Sequence, residues 1–263
     1  MRWKTSRRRW LGPREGWLAL IAMTDEATGQ TLARLTREDS VQENLHTLRA
    51  YVTKWGRPLR IQTDRSTLYG RQIQRALAEL AIEWVPAESP RVSGQAALFF
   101  KDVRQHFPDE LSSARVRSFE KAARHFDSVY LPQWHETLAE PEGADCHRPL
   151  LAEHDLESIF SMVELRQFFE DSTIRFHRAR YRVVGLPASA EVAGGEIQIE
   201  SRADGKVLAR WNEKHLPLMR VEKTETPIRK NPPSTPRKAR SWNRSWMNGF
   251  FDRSTAPIWK LSR

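Results

Sequence analysis

Two stretches of the sequence hold residue types and spacings that can do chemistry. "WVPAESPRVSGQAALFF" (84–100) reads as a strand running into a Ser-Pro loop, then a helix that opens on Gly94. A loop of this kind delivers a functional side chain at the start of its helix. The turn here holds Gln95, Ala96, Ala97 and Leu98, none of which titrates. "RPLRIQTD" (57–64) reads as a short strand ending on a carboxylate, Asp64. Weaker candidates stand beside these. Cys146-His147 invites a metal reading, but two adjacent residues make poor ligand geometry and no second pair completes a tetrahedral site. "EHDLES" (153–158) fits a helix N-terminus whose acidic residues the helix dipole favours. Trp242, Trp246 and Trp259 sit among Arg and Lys, which suits base stacking or packing against a partner chain.

The rest of the chain must position these residues. At 263 residues, 39% of them hydrophobic, it can hold one large domain or two modest ones. Its longest apolar run, "WLALIAM" (17–23), is too short to span a membrane, and no apolar segment with a cleavage site follows the basic start. One cysteine, Cys146, excludes an internal disulfide and fits a reducing compartment, so a cytoplasmic location is expected. The formal charge of +10 is carried by the ends. Residues 1–14 hold six basic and no acidic side chains, and residues 226–263 hold nine basic and one acidic. The body between them has 28 basic against 32 acidic. Basic arms on a near-neutral body point to phosphate backbones, against the plainer role of keeping the chain soluble. Trp17, Trp55, Trp84 and Trp211 are expected in the core or at its rim.

The periodicity predicts a first strand at "MRWKTS" and a hairpin of "WLALIAM" and "TLARLTRE" (31–38). A helix over "DSVQENLHTLRAYVTKWG" follows, with an Asp-Ser cap, Val41, Leu45, Leu48 and Val52 on one face, and Gly56 as its stop. Strand 57–64, helix 71–80, strand 81–88 and helix 93–107 come next. Residues 113–140 read as helical, with Val116, Phe119, Ala123 and Phe126 at core spacing. Three antiparallel strands followed by strands returning through helices give an α/β fold with the layout of a ribonuclease H-like domain. Alternation in 172–185 and 196–211, with "ADG" as a turn, predicts a small β-barrel. The expected organisation is a ribonuclease H-like core over 1–140, a linker and short helix over 141–171, a barrel over 172–222, and a basic, disordered tail over 223–263.

At these residues the chain resembles the integrase-core transposases of bacterial insertion sequences, closest to the ISNCY-type group. The family's opening "DGS…DW" corresponds to "KTSRRRW" (4–10), its "DDATG" to "TDEATG" (24–29), and its "SDKH" to "TDRS" (63–66). Its "NSPQAKGRVERAN" corresponds to "ESPRVSGQAALFF" (88–100), and "HRPL" stands at 147–150. The resemblance runs from about residue 1 to about residue 245. It implies DNA strand transfer by two Mg²⁺ or Mn²⁺ ions held by two Asp and one Glu, since hard oxygen ligands and a metal pair suit phosphodiester chemistry.

Carried over residue by residue, the second Asp is Asp64, the first falls on Lys4, and the Glu falls on Ala97. One ligand of three remains, so the resemblance implies a catalytically inactive chain with no metal cofactor. Asp25 is expected at the far end of the sheet, and no nearby carboxylate replaces those lost. Lys4 either pairs with Asp64 or sits in a frayed terminus touching nothing. Lys101 and Arg104 share the face of Ala97 and, with Lys4, Arg65, Arg237, Lys238, Arg240 and Arg244, are the expected DNA contacts. Family members carry helix-turn-helix domains ahead of the core, and this chain begins at the core's first strand. The expected partners are DNA and a second copy or a full-length transposase, with no membrane. The alternatives are an active strand transferase using other ligands, and a non-functional remnant.

Overall fold

Every residue of Leu18–Thr24 (β2) is buried, because both faces of its sheet are covered. The computed structural model describes residues 1–13, 15–63, 70–86, 94–139, 145–171, 173–186, 195–211 and 214–221. Arg2–Arg8 (β1) and Thr31–Thr36 (β3) pair antiparallel on either side of β2. Arg60–Thr63 (β4) adds parallel to β1, and Glu83–Pro86 (β5) adds parallel to β4. The order is β3-β2-β1-β4-β5, a mixed sheet with β1 at its centre.

Val41–Trp55 (α1) and Arg71–Glu79 (α2) cover one face, where Leu45, Leu48, Ile73 and Leu77 meet Trp3, Ile21 and Ile61. α1 begins where Ser40 Oγ accepts from the Glu43 N–H at 3.3 Å. It ends at Gly56, whose positive φ of 89° lets its N–H return to Val52 O. Gln95–Ser113 (α3) covers the other face with Phe99, Phe100, Val103 and Phe107. α3 outruns the expected end at 107 and passes through Pro108, because Phe107 and Leu111 both stay on its buried side. Proline carries no N–H for the carbonyl four residues back. The Arg8 guanidinium donates to that carbonyl, Arg104 O, at 3.3 Å.

Phe119–His125 (α4) and Leu131–Glu136 (α5) are joined by a π-helical turn, Phe126–Tyr130. The buried stripe runs through Ala122, Phe126 and Tyr130, four residues apart, while Val116, Phe119 and Ala123 are only partly buried. α5 closes the β3 edge through His135, whose Nε2 lies 2.8 Å from Thr31 O. Trp3 and Trp10 are the buried tryptophans among the described residues. Trp55, Trp84 and Trp211 lie at the rim, but Trp17 does not: it is 55% exposed.

After Leu156–Ile159 (α6) the chain forms a second, antiparallel sheet. Its strands are Met162–Gln167 (β6), Thr173–Phe176 (β7), Ala179–Val183 (β8), Glu196–Ser201 (β9), Val207–Trp211 (β10) and Lys214–Val221 (β11). The order β6-β9-β10-β11-β8-β7 brings the outer strands near one another, so the sheet nearly closes around Phe168, Ile174, Phe176, Ile197 and Ile199. Its first strand lies in the segment expected as linker and short helix. The linker reading also misses how residues 145–150 attach: Arg57 and Arg148 exchange backbone hydrogen bonds of 2.7 and 2.8 Å. Arg75 on α2 donates to the carbonyls of Ile159 and Ser161 at 3.0 and 2.7 Å, tying α6 to the first sheet. Met1–Val221 form one compact unit, and the tail expected as disordered lies outside the described residues. Among the described residues no helix is long and apolar enough to cross a membrane.

Burial holds the His135 imidazole below its usual value of 6.5, while its hydrogen bond to Thr31 O opposes the shift. Between the lowered folded value and 6.5 the unfolded chain binds the extra proton. This contribution is therefore intact above about pH 6.5 and is lost as pH falls from there through the lowered folded value. Urea midpoints measured at about pH 7 and pH 5 should drop further for the wild type than for His135→Gln. Equal drops would show that His135 does not set the acid limb.

Candidate nucleic-acid interface

Side chains alternate along β1. Trp3 enters the core beneath α1, and Thr5 Oγ1 donates to Asp39 Oδ1 at 3.3 Å just ahead of that helix. Lys4 therefore faces the other way, toward α3. Its Nζ lies 5.8 Å from the centroid of the Phe100 ring, and its backbone stands opposite Ala22. A cation over a ring at this distance is worth about 0.5–1 kcal/mol at a partly exposed position. The frayed-terminus reading of Lys4 fails, because the residue is half-buried in a central strand.

Ala97 is half-buried in the first turn of α3, one turn before Phe100. The two positions to which the family resemblance assigns carboxylates thus lie on the facing surfaces of β1 and α3. An ammonium and a methyl group do not fit a divalent cation, which requires oxygen donors. Asp64 and Arg65 lie outside the described residues, as do Arg237, Lys238, Arg240 and Arg244. β4 is described as far as Thr63, paired in parallel with Trp3. Among the described residues no three His, Cys, Asp or Glu side chains converge as a metal site.

The start of α3 is held from outside. Gly94 supplies no side-chain cap, and Glu26 takes that role: Oε2 accepts from Gln95 N at 2.9 Å, and Oε1 accepts from Arg2 Nε at 3.0 Å. Gly94 has φ 84°, and a Cβ there would lie 2.1 Å from Glu26 Oε2. The expectation that the Asp25 turn is remote is corrected here. β2 runs antiparallel to β1, so Thr24 pairs with Arg2 and the turn after it meets the start of α3. Asp25 itself folds back on its own loop, accepting from Ala27 N and Thr28 Oγ1 at 3.1 and 2.9 Å. Sequence reasoning missed Glu26. The available signal was a helix opening on glycine, which must borrow its cap.

Lys101 and Arg104 are exposed on α3, one and two turns beyond Ala97, with Arg8 alongside Arg104 through its carbonyl. Among the described residues no carboxylate forms an ion pair with Arg8, Lys101 or Arg104. The surface is therefore open to an anionic backbone. The other candidates have structural partners. His147 bonds Asp145 Oδ1 at 2.6 Å and Tyr51 Oη at 2.8 Å. Asp155 caps α6 by accepting from the Glu157 and Ser158 N–H groups. A further carboxylate escaped the sequence reading: Glu200 is fully buried, accepting from Ser158 Oγ at 2.9 Å beside His215 at 3.1 Å and Arg202 at 3.6 Å. Alternation placed it on the polar face of β9, and it could not reveal that α6 covers that end.

No family model matches the chain. The chain is 23% identical over 240 residues to "Putative transposase y4bF" of Sinorhizobium fredii (strain NBRC 101917 / NGR234), covering 84% of this chain and 51% of that protein. It thus spans about half the length of the curated relative it matches. Similar solved structures include the HTLV-2 integrase catalytic core domain in complex with magnesium (12% identity, TM-score 0.39, 49% of this chain and 86% of that chain). A second is the simian T-cell lymphotropic virus intasome in complex with PP2A regulatory subunit B56 gamma (15%, TM-score 0.41, 84% and 81%).

Two predictions concern the seating of α3. Glu26→Ala should cost about 1–2 kcal/mol in urea unfolding by removing a charged cap. Gly94→Ala should cost more, and the double variant less than the sum, since the clash needs both side chains. Additive losses would rule out the contact. Likewise, Arg8→Ala should destabilise the wild type by about 1 kcal/mol and a Pro108→Ala background by much less, because alanine returns the missing N–H. Equal losses in both backgrounds would show that Arg8 does not stand in for the N–H that Pro108 lacks.

Proposed function

We propose that the chain is a transposase of the integrase-core kind, ribonuclease H-like in its first sheet, that engages DNA but no longer cuts or joins it. Lys4 carries this reading. An ammonium half-buried in the central strand, where the resemblance calls for a carboxylate, repels the divalent pair that phosphodiester transfer requires. Ala97 offers no second ligand, which leaves Asp64 alone of the three. Glu26, whose carboxylate meets the start of α3, already has its oxygens engaged by Arg2 and Gln95 N. The similarity to a protein called a transposase supports the DNA partner.

Lys101 and Arg104, joined by Arg65 and the tail residues Arg237, Lys238, Arg240 and Arg244, serve as phosphate contacts in this proposal. Such contacts position a duplex without reading its sequence. The chain then acts as a non-catalytic DNA-binding or assembly partner, joining or inhibiting a full-length relative or a second copy of itself.

With Mn²⁺ and labelled duplex DNA, the full chain should show no nicking or strand transfer, and Asp64→Ala should change nothing. Activity that Asp64→Ala abolishes would overturn the reading. Duplex affinity should fall steeply with salt, and Lys101→Ala with Arg104→Ala should lower the slope of log K against log salt by about 2. An unchanged slope would remove these two residues from the interface.

A further inference from the structure

The hairpin joining β1 to β2 carries two tryptophans that the fold treats in opposite ways. Trp10 is 3% exposed and packs edge-on against Phe107, with ring centroids 6.2 Å apart, on the α3 side of the sheet. Trp17 is 55% exposed, although it directly precedes the fully buried β2. Gly16, at φ 73°, turns the chain immediately before it. The root of the hairpin is fixed: Gly12 N donates to Arg9 O at 3.1 Å, and Arg8 is pinned to Arg104 O. An exposed indole therefore stands on an anchored frame.

A single exposed apolar side chain needs no explanation. The charge around this one does. The Arg9 guanidinium lies 5.5 Å from the Trp17 ring, and Arg7, Arg8 and Arg9 are consecutive and exposed. Among the described residues none of the three forms an ion pair, with Glu15 in the same hairpin included. The comparable pair on the second sheet differs. Phe169 is 43% exposed with Arg180 4.8 Å from its ring, but Asp171 stands 3.6 Å from that guanidinium and neutralises it. An unneutralised cluster of guanidinium groups beside an exposed indole has the composition of a site for an unpaired base: a π-face for stacking, with cations for the flanking phosphates. Base-paired DNA offers no free base face, so duplex contacts on α3 do not require Trp17.

We propose that the β1–β2 hairpin binds single-stranded nucleic acid, with one unpaired base stacked on Trp17 and the adjoining phosphates held by Arg7 and Arg9. This rests on the DNA-binding reading above and adds to it a second site, specific for strand ends or melted segments.

The test uses the full chain, a labelled oligo-dT of about 15 nucleotides and a duplex of equal length. Trp17→Ala and Trp17→Leu should each weaken oligo-dT binding about tenfold or more, Trp17→Phe should retain most of it, and duplex binding should change less than about twofold. Thermal melts should match the wild type, since Trp17 is exposed. Leucine performing as well as tryptophan would overturn the stacking role. Equal losses on both nucleic acids, or no loss on either, would overturn the site while leaving duplex binding in place. A wild-type chain that binds neither nucleic acid would overturn the DNA-binding reading and this proposal together.

Discussion

The seating of α3 on β1 is the constraint from which the rest follows. The helix is fixed to the sheet by polar contacts at its start and its middle and by a row of apolar side chains along its length. At its start the Glu26 carboxylate meets the exposed N–H of Gln95. Further along, Arg8 meets the carbonyl that Pro108 leaves without a donor. Along the same face Phe99, Phe100, Val103 and Phe107 fill the space above β1 and β2. These contacts set which face of β1 meets the helix, and so why Lys4 and the first turns of α3 look at each other. None of them requires a carboxylate at position 4 or 97, so the architecture of the site is independent of its chemistry.

That independence means the two positions tolerate other side chains without loss of the fold. Three carboxylates gathered at one sheet end repel one another unless a cation joins them. An ammonium at position 4 and a methyl group at position 97 carry no such repulsion, and the Phe100 ring gives the ammonium a favourable neighbour.

The sheet was legible because its signals are local and mutually consistent. β2 is an unbroken apolar run bounded by turn residues, α1 has both a cap and a glycine stop, and β4 and β5 lie between clear helices. What escaped depends on partners distant in sequence. Glu26 is one acidic turn residue among several until Gly94 is brought beside it. α3 looked finished at Phe107 because proline usually ends a helix, yet the Arg8 contact and the packing of Leu111 carry it onward. The turn between β7 and β8 bears no turn signature, since His177 and Arg178 adopt φ of 44° and 64° without being glycine or asparagine. The start of the second sheet was missed because β6 pairs with β9, about thirty residues later, so nothing local marks it.

The central position of β1 also bears on how the chain folds. Trp3 pairs with Thr63, sixty residues away, so β1 is made before β4 and gains its second neighbour only after α1 and β4 are complete. Until then the meander presents an open strand edge in an apolar sheet, a template for pairing with other chains. Arg7, Arg8 and Arg9 close that strand with consecutive like charges, the composition that gatekeeper residues use beside aggregation-prone segments. The same arginines thus have a place in folding that depends on no ligand.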